Sequence, residues 1–334
     1  MRKHSLLFII ILALIGCASC SSKEYIQLTG FTQGTTYAIT YADMQGTDFH
    51  GDIEQIFEQV DQSMSLYRDS SIINLFNSAN DCFEVDSLLA EVVALSLEYS
   101  AQTNGAFNIT IGPLVREWGF HMKRDEVPSE SRVAELLAFT GVDMIELKGN
   151  TLCKSNPNVS IDVNAIAPGF TTDLIADFFE TKGISDYLVE VGGEIRASGN
   201  SSRGKEWLVG VDKPVDNALS GENLQVIIAI SGKSLVTSGN YRKFFVKDGV
   251  RYSHTINPST GYPVNHSLLS ATVIDSTAAR ADALATSFMV MGVDSVKLWL
   301  SQNPGVEAYL VFCSQDGDYS VWMSDGLKGM VVEK

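Results

Sequence analysis

Cysteine, histidine and proline are scarce in this 334-residue chain, with five, five and eight copies. Cys17 and Cys20 fall at the extreme N-terminus, and Cys82, Cys153 and Cys313 are too scattered for zinc-finger spacing. Basic residues are outnumbered 24 to 40, for a net charge of −16. An acidic chain of this kind is a poor partner for nucleic acid and for anionic lipid surfaces, so no nucleic-acid partner is expected. The glycine-rich phosphate-binding patterns G-x-G-x-x-G and G-x-x-x-x-G-K-[ST] are missing, as is the nucleophile elbow G-x-S-x-G. Their absence argues against dinucleotide-hydride, P-loop and serine-hydrolase chemistry. One long apolar run, LLFIIILALIG (6–16), is present, and it falls well short of the roughly 20 residues a spanning helix needs.

That run belongs to a leader. Arg2, Lys3 and His4 precede it, and small residues close it before Cys17. Length and flanks are those of a signal peptide. LIGC (14–17) resembles the lipobox of exported lipoproteins, in which the cysteine is acylated and becomes the mature N-terminus; a plain secretory signal cut nearby is the alternative. The expectation is an exported lipoprotein, anchored to the membrane through lipid (palmitate) on Cys17 and facing the periplasm from the inner membrane. Residues 1–16 are then the signal peptide, 17–24 a tether and 25–334 a single functional domain. Losing Arg2 and Lys3 with the leader lowers the net charge by two, from −16 to −18. CASC (17–20) is formally C-x-x-C, but lipid claims its first member. Export permits a disulfide among Cys82, Cys153 and Cys313; none is indicated, and buried free thiols are expected.

Hydrophobic periodicity maps several elements. TTYAIT (35–40), extended to Tyr41, alternates as a strand. Ile53, Ile56, Phe57, Val60 and Met64 recur at helical spacing behind Asp52, read as an N-cap. Leu88, Val92, Leu95 and Tyr99 mark a second helix, and PSESRVAELLAFTG (128–141) a third. SIDV (160–163) reads as a strand leading into the helix GFTTDLIADFFETKG, which should bury Leu174, Ile175, Phe178 and Phe179 and stop at Gly183. YLVEVGGEI, WLVGV, LQVIIAI and SLVTSG read as strands. FFVK-DG-VRYS (244–253) is a hairpin whose Asp-Gly pair suits a type I′ turn. An alanine-rich helix, a short helix around VKLWL and the strands EAYLVF and YSVWM complete the chain. Helices interleave with antiparallel hairpins, so the fold expected is α+β: mixed, largely antiparallel sheets with packed helices.

Five features could carry chemistry. Asp282 and Thr286, four apart in AARADALATS (278–287), stack one turn above each other on a helix. They are either the polar edge of an ordinary helix or hard oxygen donors for an ion such as Mg²⁺. SHTINPSTGYP (253–263) places His254 after a strand; a lone histidine there often only satisfies turn backbone. SIDVNAIAPGF (160–170) carries Asp162, a turn cap or a ligand group. VEVGGEI (189–195) has paired glycines, which serve tight turns or close backbone approach. NGAFNITIGPLVREWGF (104–120) offers Phe107 and Trp118, as core or as cofactor platform.

Taken in order, the motifs resemble the ApbE-type FAD:protein FMN transferase family. The matching blocks are QGTTY (33–37), DQSMSLYRDSSIINLFN (61–77), GAFNITIGPLVREWGF (105–120), DVNAIAPG (162–169), VGGEIRASG (191–199), EWLVGVDKP (206–214), TSGNYRKFF (237–245), SHTINPSTGYPV (253–264) and ADALATSFMVMG (281–292). The resemblance implies an ApbE-like flavin transferase fold. It also implies a Mg²⁺ on the FAD pyrophosphate, held by Asp282, Thr286 and the Ala165 carbonyl. FAD would be held by Gln33, Tyr67, Ala106, Phe107, Asn108, Asp162, the position of Pro168, and Ile256, with Gly192 and Gly193 admitting the cofactor backbone. The implied reaction is attack by a threonine hydroxyl of an acceptor redox protein, in an Asp-x-x-x-Thr-type motif, on the FMN phosphorus of FAD, with AMP leaving. His254 is the candidate general base or leaving-group stabiliser, and Asp282 could share that work.

The chain departs from the family pattern in four places. Pro168 stands where lysine or glutamate is usual, Asn164 where a small residue is typical, and Asn108 and Asn257 where aspartate is common. Proline offers no N–H, so one polar contact to FAD is missing or replaced. Two other functions fit the same residues: an exported FAD-binding lipoprotein without transferase activity, and a Mg²⁺-dependent FAD pyrophosphatase.

Overall fold

The structure is a computed structural model that describes residues 23–120, 127–214, 223–240, 244–314, 316 and 318–332. The segment read as a leader, Cys17, most of the segment read as a tether, and Tyr241 to Lys243 of the TSGNYRKFF block lie outside the described residues.

In chain order the first half comprises β1 (Glu24–Thr32), β2 (Thr35–Asp43), α1 (His50–Met64), α2 (Ile72–Ser78), β3 (Cys82–Glu84), α3 (Ser87–Gln102), α4 (Gly112–Glu117), α5 (Glu130–Leu137), β4 (Ile145–Lys148) and β5 (Thr151–Lys154). The second half comprises α6 (Ala167–Thr181), β6 (Tyr187–Val191), β7 (Glu194–Ser198), β8 (Trp207–Asp212), β9 (Leu224–Ile230), β10 (Lys233–Gly239), β11 (Phe244–Lys247), β12 (Val250–Ser253), β13 (Leu268–Asp275), α7 (Ala278–Met291), α8 (Val293–Gln302), β14 (Glu307–Cys313), β15 (Tyr319–Met323), α9 (Asp325–Lys328) and β16 (Val331–Val332).

Eight strands form the central sheet in the order β1-β2-β6-β7-β10-β13-β14-β15, every neighbouring pair antiparallel. The mixed, antiparallel α+β class expected from sequence is the one observed. Period-2 alternation sorts the two faces. Ala308 and Leu310 of β14 pack with α7 and α8, whereas Tyr309 and Val311 pack against the second sheet, β16-β9-β8. Helices therefore cover one face of the central sheet and three strands the other.

A further layer sits over the helices. It is built from α1, α2, α3 and the small sheet β3-β5-β4, and its core runs through Phe76, Leu89, Val92 and Ile161 to Ala279 and Ala283 of α7. Helix α7 is thus packed between this layer and the sheet, and ten of its 14 residues are buried. Small side chains are what such a position demands, since a helix apolar on all sides must approach neighbours on all sides. Leu284, Phe288 and Met289, fully buried, contribute about 1.5–3 kcal/mol each by burial.

Some expectations need correction. Asp52 is not the N-cap of α1; it lies inside the first turn, and Phe49 occupies the cap position with no side-chain bond. SIDV (160–163) is no strand. The Asn77 side chain takes the place of a neighbouring strand there, accepting from Ile161 N–H at 2.8 Å and donating to Ile161 O at 2.9 Å. Ile175 and Phe179 of α6 are buried, but Leu174 and Phe178 only partly. Cys82 and Cys153 are not free thiols. They are joined by a disulfide across paired positions of β3 and β5, with Cys82 exposed, and among the described residues only Cys313 is free. Strand β1 begins at Glu24, inside the segment read as tether, and Lys23 pairs with Asp186.

Candidate functional site

Helix α6 opens immediately after the turn that holds Ala165. Its first-turn donors are settled one by one: Ala167 N–H reaches Val163 O at 2.8 Å, Phe170 N–H reaches Ile166 O at 2.9 Å, and Gly169 N–H reaches Asp282 Oδ2 on α7 at 3.2 Å. Pro168 falls in this first turn, where a missing N–H costs the helix nothing. A Cβ on Gly169 would stand 2.4 Å from Ala278 O, so the two helices touch backbone to backbone.

Asp282 is buried, and among the described residues it forms no ion pair. Burial pushes its carboxyl up to about 7; the Gly169 N–H pulls the other way and the neighbouring Asp173 adds to the rise. One turn along α7, half-buried Thr286 places its hydroxyl 3.3 Å from Ser238 Oγ on β10. The Gly169 bond engages only one oxygen of the Asp282 carboxylate. A buried carboxylate that feels another carboxylate, one helical turn from a threonine hydroxyl, is the kind of group that suits a hard divalent cation. Among the described residues no three His, Cys, Asp or Glu side chains cluster as a metal-holding group. A cation at Asp282 would therefore draw its other ligands from hydroxyls, carbonyls or a substrate.

The residues expected at the flavin separate into two kinds. Tyr67 and Asp162 line one cavity of about 220 Å³ together with Leu66, Asn74, Gly112, Arg116 and Ile161. Tyr67 is 76% exposed, and an exposed aromatic side chain at a cavity edge is of the kind that stacks on planar ligands. Its loop is held from beneath by Ser71 Oγ to Ser65 O at 2.7 Å and Asn74 Nδ2 to Arg68 O at 3.0 Å. Asp162 accepts from Asn164 N–H at 2.9 Å, the turn-cap bond. On the far side of Arg116 a second hollow of about 310 Å³ extends past Asn77 and Arg132.

Phe107 and Ile256, by contrast, are core residues. Phe107 packs with the α3 layer, and Ile256 with Leu114, Trp118 and Val133, so only their main chains can meet a ligand. Ala106 is half-buried in the turn after α3. Asn108 accepts from Thr110 N–H at 2.8 Å and Thr110 Oγ1–H at 2.7 Å, and Asn257 accepts from Ser259 N–H at 2.9 Å. Both asparagines use the acceptor oxygen that an aspartate would also present, which is why the local turns tolerate the exchange.

Gln33 holds φ at 51° in the β1–β2 turn, a left-handed conformation that Asn or Gly adopts more cheaply. Its buried Nε2 turns toward Asp61 without making a sound hydrogen bond. Gly192 and Gly193, at φ 69° and 109°, form the tight β6–β7 turn. His254 follows β12 and meets Phe120 edge-on at 6.5 Å. Trp118 is core, and its Nε1–H to Gly261 O bond at 2.8 Å ties the 253–263 segment to α4.

Sequence reading alone missed Ser238, Asp173 and Arg196. Asp173 shares a helix face with Gly169 and Ala176, both small and buried, and an acid in such a row is the signal that could have exposed it.

Proteins similar to this chain are transferases, and it is one of that class. FAD:protein FMN transferase of Vibrio cholerae is 38% identical over 290 residues, covering 84% of this chain and 85% of its own length. The protein of the same name from Haemophilus influenzae is 34% identical over 91% of each chain. Among solved structures, flavin transferase ApbE from Vibrio cholerae superimposes with a TM-score of 0.84 at 35% identity, over 92% of this chain and all of that one. The Pseudomonas stutzeri flavinyl transferase ApbE gives 0.83 at 33% identity, over 92% and 97% of the two chains. The ApbE family profile matches residues 33–310, and the chain belongs to the ApbE family.

Proposed function

We propose that this protein is an exported, Mg²⁺-dependent FAD:protein FMN transferase that moves FMN from FAD to a threonine hydroxyl of an acceptor redox protein and releases AMP. The observation that carries the reading is Asp282: a buried carboxylate without a cationic partner among the described residues, set against the start of α6 and one turn from Thr286. Family membership and the relatives' names support the flavin chemistry.

In this reading Asp282, Thr286 and the Ala165 carbonyl hold the cation. A cation held there would supply charge neutralisation for phosphoryl transfer. Tyr67 stacks on a ring of FAD and Asp162 accepts from its polar edge, while Gln33 supplies an amide from the β1–β2 turn. Ala106, Phe107, Asn108, Pro168 and Ile256 contribute backbone and shape. The acceptor hydroxyl oxygen bonds to the FMN phosphorus, and the pyrophosphate bridge breaks with its oxygen leaving on AMP. His254 takes the hydroxyl proton or steadies the leaving phosphate, and Asp282 could share that work. Lipid on Cys17 would anchor the enzyme at the periplasmic face of the inner membrane.

Pro168 would favour a non-transferring FAD binder, but the first turn of α6 gives that proline a structural reason of its own. The test incubates the protein with FAD, Mg²⁺ and an acceptor domain carrying the threonine motif, and reads the acceptor's intact mass. A gain of one FMN, abolished by chelator and by Asp282→Ala, is expected. Bound FAD with two unmodified acceptors would replace the proposal with a binder, and AMP released without any acceptor would replace it with a pyrophosphatase.

A further inference from the structure

The N-terminus of α7 is capped by another helix. Asp173 of α6 accepts from Ala278 N–H through Oδ1 at 2.9 Å and from Ala279 N–H through Oδ2 at 2.8 Å. Thr277, in the cap position of α7, offers no side-chain bond. Orphan first-turn donors of a buried helix need partners, and here both come from one carboxylate. Arg196 of β7 closes the arrangement, with Nη1 2.9 Å from Asp173 Oδ1 and 3.0 Å from Asp177, and Nη2 3.3 Å from Glu180. One guanidinium thus fastens three carboxylates of α6 to the central sheet.

One turn further along, the same helix pair meets again at the Gly169–Asp282 hydrogen bond, with no room for a Cβ on Gly169. The axial setting of α7 against α6 is therefore fixed at Asp173 by charge and at Gly169 by contact. α6 begins two residues after Ala165, and α7 carries Asp282 and Thr286. A slip of α7 by even one residue would move its donors about 1.5 Å along the axis, whereas metal–ligand distances tolerate about 0.2 Å.

We propose that Asp173, held by Arg196, is a positioning residue for the divalent cation: it sets the spacing between the Asp282–Thr286 edge and the Ala165 turn without touching metal or flavin itself. The inference rests on the cation site of the proposed function.

The test compares the purified protein with Asp173→Asn and Arg196→Gln, using Mn²⁺ as an electron-spin-resonance probe with FAD present, FAD affinity in chelator, and far-ultraviolet circular dichroism. Asparagine turns an N–H₂ toward one α7 donor; glutamine leaves Asp173 in place but unfastened. The expected result is Mn²⁺ binding weakened by about tenfold or more, the scale of lost outer partners of metal ligands, with FAD affinity in chelator within about twofold of the parent. Arg196→Lys should recover part of the loss, because an ammonium can still pair with Asp173. Unchanged Mn²⁺ affinity with a lowered melting temperature would overturn the proposal and leave the clamp a purely structural device. Should Asp173→Asn fail to fold, Arg196→Gln decides alone. A parent protein that binds FAD but no Mn²⁺ would overturn the cation site itself, an outcome distinct from a parent that binds Mn²⁺ and variants that bind it equally well.

Discussion

The Ser238 hydroxyl lies 3.3 Å from the Thr286 hydroxyl, joining β10 to α7 at the edge that Asp282 also occupies. A hydroxyl that is to face a cation with its oxygen must send its proton elsewhere, and Ser238 is placed to receive it. Ser238→Ala should raise the Mg²⁺ concentration needed for half-maximal FMN transfer by about tenfold, with FAD binding in chelator preserved. An unaltered Mg²⁺ dependence would remove Ser238 from the site.

Asp282 gives a pH signature. Its ordinary value is 3.8 and burial lifts it to about 7 in the folded, cation-free protein. Between those values the folded state binds a proton that the unfolded state has released, so stability falls as pH rises through that window. Urea titrations at pH 5 and pH 8 should show the parent losing stability relative to Asp282→Asn, which carries no titrating group there. Mg²⁺ at pH 8 should restore the parent alone. Parallel behaviour of the two proteins at both pH values would sink this account.

The Cys82–Cys153 disulfide closes a loop of 71 residues, and its loss should cost about 4 kcal/mol through the freed unfolded chain. That loop contains α3, Ala106 to Asn108 and Arg116. The comparison is denaturant unfolding of the parent, oxidised and reduced, against Cys82→Ser. Reduction should destabilise the parent to the level of the variant and leave the variant unchanged.

Lys154, one residue beyond the disulfide, is a buried ammonium that donates to three carbonyls, Asn77 O at 3.0 Å, Pro157 O at 3.2 Å and Val159 O at 2.9 Å. Burial pulls its pKa below the ordinary lysine value. Lys154→Met keeps the stem and abandons the three acceptors, which should cost about 2–4 kcal/mol. Since the Asn77 side chain bonds Ile161 and Val159 precedes it, both border the segment carrying Asp162, and FAD affinity should weaken as well. Destabilisation with undiminished FAD affinity would separate the lysine from the cavity.

Elements with one buried face were legible in the sequence, because amphipathic periodicity survives there: β2, α1 and α3. The β11–β12 hairpin was legible from its turn, whose Asp248 and Gly249 take φ 51° and 77°. β13 was not legible. Both its faces are covered, so LLSATVID shows almost no alternation. The disulfide was hidden because its cysteines meet only through the three-stranded sheet of β3, β4 and β5, which has little sequence signal of its own. At the site, the Asp282–Thr286 spacing was readable as a helical face. Ser238 and Asp173 reach that helix from separate elements, Arg196 acts on it only through Asp173, and no local pattern announces a contact across 105 residues such as that of Asp173 with Ala278.

Helix α7 meets neighbours on every side, and they come from stretches as far apart as α3, α6, β10 and β13. During synthesis the Tyr67 ledge and the Asp162 turn emerge early, while Asp282 follows Asp162 by roughly 120 residues, on the order of 6–24 seconds of translation. On the proposed reading, a nascent chain in that interval has part of the flavin's surroundings and lacks the carboxylate meant for the cation. If the cation site is as proposed, reactivity is the last property the polypeptide acquires, and a product cut short anywhere before α7 is expected to be inert rather than partly active.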